Sequence, residues 1–545
     1  MLATKLFGSE NRRFMGDELY IIGGEVVDGT GREPFRADIS VRDGRISAVG
    51  EVCSKLGTRV IDATGLLVCP GFIDIHSHSD MTLVIDPRAV SSVTQGVTLE
   101  VVGNCGHGCA PIFDSELARS NIYGCRSDSP ISWRTVAEYL DVLESRQPAV
   151  NVLTLVPNGN LRLAVMGLTD RPSDDAERRK MKDLLARGLE DGAFGFSTGL
   201  EYGTEEGCSQ PEIAQLCQVV ADAGGIYATH TRNRLGEARE AISEAIETAS
   251  TAQVKLQISH ISVVARLVDD GRWAVQQALD QVDRARDGGL DVGFDMHTRL
   301  FGTTNLSAAL PPSALADGKG AIAACLVDPS FRRGLSDHRS IITALARDDW
   351  GKIIVFASKA NPDVSRRSIA DIAHARGAEP LDVICDLLLD EIDDLHSLMI
   401  VALTYREQDL QPVFERPDCM VGSDATALAN DGPLAGTTFH GAFTWASWFY
   451  RHFVIEKKLL SRQEAVRRLT SLPASRLGLP DRGVICAGAW ADLAVFDPVQ
   501  FGQRGTLFEP NRPAVGMKHV LVNGVIEVEN GSLTQSRGGQ VLRRR

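Results

Sequence analysis

The chain has 545 residues, 43% apolar and 23% charged, with a formal net charge of −14; this is enough for a large core and a smaller companion unit. The acidic balance, with no Lys/Arg run beyond the terminal Leu-Arg-Arg-Arg, argues against a nucleic-acid partner, and no stretch approaches the roughly 20 apolar residues of a membrane span. Eleven cysteines without a disulfide rhythm, and an N-terminus lacking an apolar leader segment, predict a cytoplasmic protein with free thiols.

Residues 1–16 read as a loose arm. From Glu18 the text turns to short strands separated by glycine turns: LYIIGGEVVDGTG, ADISVRDGRISAVG and RVIDATGLLVCPG. Arg42-Asp43-Gly44, between alternating apolar residues, is a hairpin signal. The far end has the same texture in DLAVFDP (492–498) and HVLVNGVIEVENGSL (519–533). Both ends are therefore expected to build one small β-sandwich domain, residues 1–66 with 481–545.

The middle, residues 67–480, alternates. Strand-like runs are GFIDIH (71–76), VTLEVVGN (97–104), NVLTLVP (151–157), GAFGFST (192–198), GIYATH (225–230), VKLQISH (254–260), LDVGFDMH (290–297) and CMVGSDA (419–425). Helical patterns such as 174–192 and 235–250 lie between most of them. About eight strand–helix units predict an α/β fold, a TIM-like (β/α)8 barrel. Residues 298–415 exceed one crossover and are expected to be an insertion, with a lid over the site as its suggested role.

In such a barrel, chemistry sits at the C-terminal strand ends. His76 and His78 end the first strand and point the same way, because alternate strand residues share a face. Cys105 follows the second strand, His230 ends the fifth, His260 the sixth and His297 the seventh, and Asp424 ends the eighth. A lone strand-end histidine is usually structural. The set as a whole predicts a metal site, and thiolate with imidazole favours zinc. His107 and Cys109 share the Cys105 loop but are expected to lie outside the ligand set, with Asp80 at the rim or behind a ligand.

GFIDIHSHSD, VVGNCG, GAFGFSTGLEYG, YATHTRN, LQISH, VGSDA and the ending LTSLPASRLGLPDRGVICAGAWADLAVFDP resemble the amidohydrolase superfamily. More narrowly, they resemble its D-aminoacylase branch, the N-acyl-D-amino-acid deacylases, from about residue 18 to the end. The resemblance implies that Cys105, His230 and His260 hold a principal zinc. It implies that His76, His78 and Asp424 either form a second, weaker position, for which Cys105 is a candidate bridge, or polarise the substrate. The carboxylated lysine of other amidohydrolases has no counterpart in Phe196-Ser197-Thr198. Zinc would lower the pKa of water towards ~7, and Asp424 would take its proton and pass it to the leaving amine.

The departures concern substrate. Ser262 stands where the branch usually has a lysine, Asp295-Met296-His297-Thr298-Arg299 replaces a tyrosine-rich phrase, and Phe439-His440-Gly441-Ala442-Phe443 keeps a histidine without its Pro and Arg. Arg299, Arg232 and Arg234 are candidates to receive an α-carboxylate, with His297, Ser262 and His440 as further substrate contacts. The aromatic run Thr438–Phe449 reads as an apolar pocket or a core helix face.

The expected function is zinc-dependent hydrolysis of a linear amide, with N-acyl-D-amino acids first. The alternatives are hydrolysis of a cyclic amide, lactone or apolar carboxamide lacking a free α-carboxylate, and a non-catalytic metal-stabilised binding protein. The expected partner is a small-molecule amide, with no nucleic acid or membrane; a homo-oligomer is left open.

Overall fold

The structure, a computed structural model, describes residues 18–52, 57–119, 121–125, 129–169, 171–232, 238–261, 271–315, 318–338, 340–347, 349–395 and 398–544. Eight parallel strands organise it: β1 (Phe72–Asp74), β2 (Val97–Val102), β3 (Asn151–Thr154, continued by Val156–Pro157), β4 (Gly195–Gly199), β5 (Ile226–His230), β6 (Lys255–Ile258), β7 (Val292–His297) and β8 (Cys419–Gly422). Each pairs in parallel with the next. The Asp424 amide then donates to the His76 carbonyl at 2.8 Å, and Ser77 bridges Ala425, so the pairing order returns from β8 to β1.

Alternate residues of these strands serve two cores. Leu99, Val101, Leu153 and Leu155 cluster with Ala228 and Met420. Val102, Val152, Phe196, Leu256 and Phe294 instead meet the apolar faces of the helices. The helices are α1 (Val136–Arg146), α2 (Asp175–Glu190), α3 (Gln210–Asp222), α4 (Ala238–Ala252), α5 (Gly271–Asp287) and α6 (Glu407–Glu415). The capping box of Asp174 and Glu177 starts α2, and Met181, Leu185, Gly188 and Leu189 form its buried stripe at helical spacing. α6 packs on α5, its helical neighbour.

Two further sheets flank the cycle. One joins Leu19–Ile22, Asp38–Arg42, Arg45–Gly50 and Arg59–Asp62; its hairpin turns at Asp43 and Gly44, both at positive φ. The other takes strands from both chain ends, with Leu67–Pro70 antiparallel to Leu493–Phe496. This second sheet is a shared wall. Val68, Leu493, Val495 and Leu521 face the first sheet's Ile21, Ile39 and Val41, whereas Leu67, Cys69, Ala494 and Phe496 join the main core.

Between β7 and β8 lies a third unit: antiparallel strands Gly302–Asn305, Met399–Ala402 and Ile353–Ala357, with helices around a core of its own that includes Leu326, Val355, Ile384 and Ile400. Its placement leaves the ends of β7 and β8 adjacent.

A buried polar knot ties the C-terminal strands to the cycle. Arg482 pairs with Asp492, whose Oδ1 accepts from the Asn523 amide at 2.7 Å. Asn523 Nδ2 donates to Asn151 Oδ1 at 2.7 Å, and Asn151 Nδ2 to the Thr98 carbonyl at 2.9 Å. Breaking one partner of a buried ion pair leaves an uncompensated charge, a loss of about 3–5 kcal/mol. Asp492→Ala is therefore expected to lower the urea midpoint markedly; a midpoint equal to the parent's would show that the knot does not hold the sheets together.

Candidate metal centre

The candidate metal-ligand residues gather where the strands end. Past β1, Ser77 Oγ donates back to the Val101 carbonyl at 3.0 Å, which turns His76 and His78 to the opposite side. Both are buried, at 1% and 2% exposure. His76 Nε2 lies 3.1 Å from Cys105 Sγ and 3.7 Å from Asp424 Oδ1; His78 Nε2 lies 3.2 Å from the same oxygen. Cys105 Sγ is 3.5 Å from His260 Nε2. The residues fall into two groups, His76–His78–Cys105–Asp424 and Cys105–His230–His260, whose donor atoms lie within 4.8 Å of one another in each. Cys105 belongs to both.

These separations suit a common ion: ligands about 2.0–2.3 Å from a tetrahedral metal stand roughly 3.3–3.8 Å apart. The charges suit it too. Burial opposes ionisation of Cys105, but His76 and His260 hold its thiol well below the ordinary range. Burial likewise opposes ionisation of Asp424, yet Arg299 and the bond to His78 keep its carboxyl well below the usual value. For His78, burial is outweighed by Asp424 and Cys105, and its pKa rises to about 9, so a metal would have to displace that proton to bind the ring. Two anionic donors among four imidazoles form a complement to a divalent cation.

Backbone strain accompanies the ligands. Cys105, His260 and Asp424 have φ of 53°, 34° and 45°. Non-glycine residues are sparse in that region, at about 1–3 kcal/mol each, and persist where surrounding structure imposes them.

Asp295 and Glu201 were not singled out from the sequence. Asp295 Oδ1 meets His76 Nδ1 at 3.1 Å and accepts from the His260 amide at 2.8 Å, while Oδ2 accepts from Gln257 Nε2 at 2.8 Å. It fixes the His76 ring so that Nε2 faces Cys105, the usual arrangement of a carboxylate behind a metal-binding histidine. The signal was available: Asp295 is two residues before His297, and Phe294 and Met296 face outward into the helical core. Glu201 Oε2 is 3.0 Å from His230 Nε2, just past β4.

An aromatic wall stands beside the ligands. Tyr123 lies over His78 at 4.5 Å, and His107 sits between Tyr123 and Tyr202 at 5.0 and 4.3 Å. Burial pushes His107 down to about 4, so it is neutral near pH 7. His107, Cys109 and the buried Asp80 belong to neither ligand group. Phe439 faces this wall, 6.2 Å from Tyr123, whereas Trp445, Phe449 and Tyr450 are core residues.

The substrate candidates have engagements of their own. Arg232 pairs with Glu244 at 3.1 Å and donates to the Glu206 and Cys208 carbonyls at 3.0 and 2.8 Å. His440 Nε2 donates to the Leu507 carbonyl at 2.6 Å, between the rings of Phe301 and Phe356. His297 Nδ1 accepts from the Arg299 amide at 3.2 Å, and its ring faces Tyr405 at 5.6 Å. Arg299 pairs with Asp424 at 2.7 Å. Ser262 and Arg234 lie outside the described residues.

The sequence profile of the amidohydrolase family matches residues 59–327 and 418–528. N-acyl-D-glutamate deacylase of Alcaligenes xylosoxydans xylosoxydans is 32% identical, over 97% of this chain and 96% of that one. D-aminoacylase of the same organism is 30% identical, over 97% and 98%. The crystal structure of N-acyl-D-glutamate deacylase from Bordetella bronchiseptica, complexed with zinc and a phosphonate mimic of the tetrahedral intermediate, superposes with a TM-score of 0.79 at 30% identity, covering 96% of this chain and 99% of that one. Fold and site define a metal-dependent hydrolase acting on C–N bonds. The chain belongs to the amidohydrolase family.

Removing the carboxylate behind a metal-binding histidine typically weakens metal binding 10–100-fold. Asp295→Asn is expected to do so here, read by titration against a competing chelator; an unchanged affinity would show that Asp295 does not orient a ligand.

Proposed function

We propose that this chain is a zinc-dependent N-acyl-D-amino-acid deacylase, with Cys105, His230 and His260 holding the principal ion. His76, His78 and Asp424 form a second position, joined to the first through Cys105. The observation that carries this reading is the convergence of all six side chains on one rim, with Cys105 common to both groups. In this reading the strand cycle is a (β/α)8 barrel over residues 67–480. The two flanking sheets, expected from residues 1–66 and 481–545 and taking in Leu67–Pro70 as well, are a β-sandwich.

Bound zinc supplies the Lewis acid that makes water a nucleophile near neutral pH. The chain's own residues do the rest. Asp424 directs Oδ1 towards His76 and His78 and is the group placed to take a proton from that water. It then hands the proton to the leaving nitrogen, acting as base and then acid. Tyr123, Tyr202 and Phe439 stand beside this exchange. A substrate without a free α-carboxylate, such as a cyclic amide or an apolar carboxamide, is the second reading. It is favoured by the engagement of Arg232 and Arg299 inside the protein.

Amine release from N-acetyl-D- and L-amino acids, with zinc measured on the same sample, tests the proposal. D-selective turnover is expected. Zinc without turnover on the panel would overturn the deacylase reading in favour of the second. Asp424→Asn is expected to lose at least ~100-fold in kcat while retaining the principal zinc; full activity would remove Asp424 from the proton transfers.

A further inference from the structure

Arg299 lies just past β7 and is 8% exposed. Its Nη2 donates to Asp424 Oδ2 at 2.7 Å and to the Asp424 carbonyl at 2.8 Å, and Nη1 donates to the His440 carbonyl. Its own amide is tied to His297 Nδ1 at 3.2 Å. Nε is buried without a partner. Gly441, at φ +95°, gives this guanidinium room: a Cβ there would come within 2.9 Å of Nη1. Phe439 closes the other side, 5.7 Å away.

This is the geometry of a clamp. Asp424 divides its oxygens, Oδ1 to the histidines and Oδ2 to Arg299. A guanidinium grips a carboxylate side-on through two neighbouring N–H groups. Every such pair on Arg299 includes a nitrogen already engaged with Asp424 or His440. A substrate carboxylate would have to displace a buried ion pair to be held there.

We propose that Arg299 is a positioning residue: it fixes the carboxylate and main chain of Asp424 for proton transfer and is not the receptor for a substrate's α-carboxylate. The inference rests on the hydrolase reading and deepens it. Recognition of the substrate's acid end, where there is one, falls to other residues.

The test is Arg299→Met, compared with the parent on N-acetyl-D-amino acids and on the corresponding C-terminal amides, with zinc content measured throughout. A misplaced reacting group loses on the order of 100-fold in rate. The expected result is a kcat reduced about that much on acids and amides alike, with KM and zinc unchanged. A KM that rises on the acids alone, with kcat kept, would overturn the proposal and make Arg299 the carboxylate receptor. Unchanged kcat and KM would also overturn it. Should the Met variant fail to fold, Arg299→Lys serves in its place. One ammonium cannot span both Asp424 and His440, so a partial loss of kcat is expected, and parental kcat would overturn the clamp.

A crystal structure of the zinc-loaded parent keeps this test separate from the choice of substrate. Arg299 still on Asp424 Oδ2 is expected; a guanidinium turned away from it would overturn the proposal. Parent enzyme inactive on every acyl-D-amino acid, but with that contact intact, would sink the deacylase reading and leave the clamp standing.

Discussion

The hydrogen bond from the Asp424 amide to the His76 carbonyl is the contact on which the site depends. It returns the eighth strand to the first. It also places the last metal-ligand candidate beside the first, although 348 positions separate them in sequence. Six polar side chains from distant segments meet on one rim because the strand pairing is cyclic. Neighbouring strands set His76 beside Asp424 and His230 beside His260, and Cys105, following β2, reaches across the rim to His260 at 3.5 Å. Without that closure, His76 and Asp424 would be ends of an open sheet.

Most of this was legible in the sequence. The eight apolar runs became eight strands within a few residues, since parallel strands buried on both faces must be apolar throughout. The His-x-His alternation fixed the facing of His76 and His78 directly. The contacts of Asp295 and Arg299 were not legible. Asp295 acts on His76 across the cycle, and Arg299 reaches Asp424 across the β7–β8 edge; neither partner is near in the chain. Arg299 by itself reads as an anion receptor, and its three-way engagement with Asp424 and His440 is visible only in the fold. For Ser262 and Arg234 the positions fall outside the described residues. The aromatic run 438–449 divided. Phe439 reached the site, while Phe443, ahead of the helix, and Trp445 and Phe449, within it, went to the core.

The chain ends are organised by a similar economy. The sheet holding Leu67–Pro70 and Leu493–Phe496 uses the period of two to face two cores at once. The strand leading directly into His76 is thereby anchored from behind. The Asp492–Asn523–Asn151 knot adds direction to an otherwise apolar contact, since buried hydrogen bonds fix register more sharply than area does.

The left-handed backbone at Cys105, His260 and Asp424 places chemistry and durability in opposition. Each position is held in a conformation its residue type disfavours, by a scaffold that is stable enough to impose it. Glycine would relax all three, so a search for heat-resistant variants that ignored turnover would drift towards these sites first. The most thermally robust descendants of this chain would then be those that had lost its candidate metal centre.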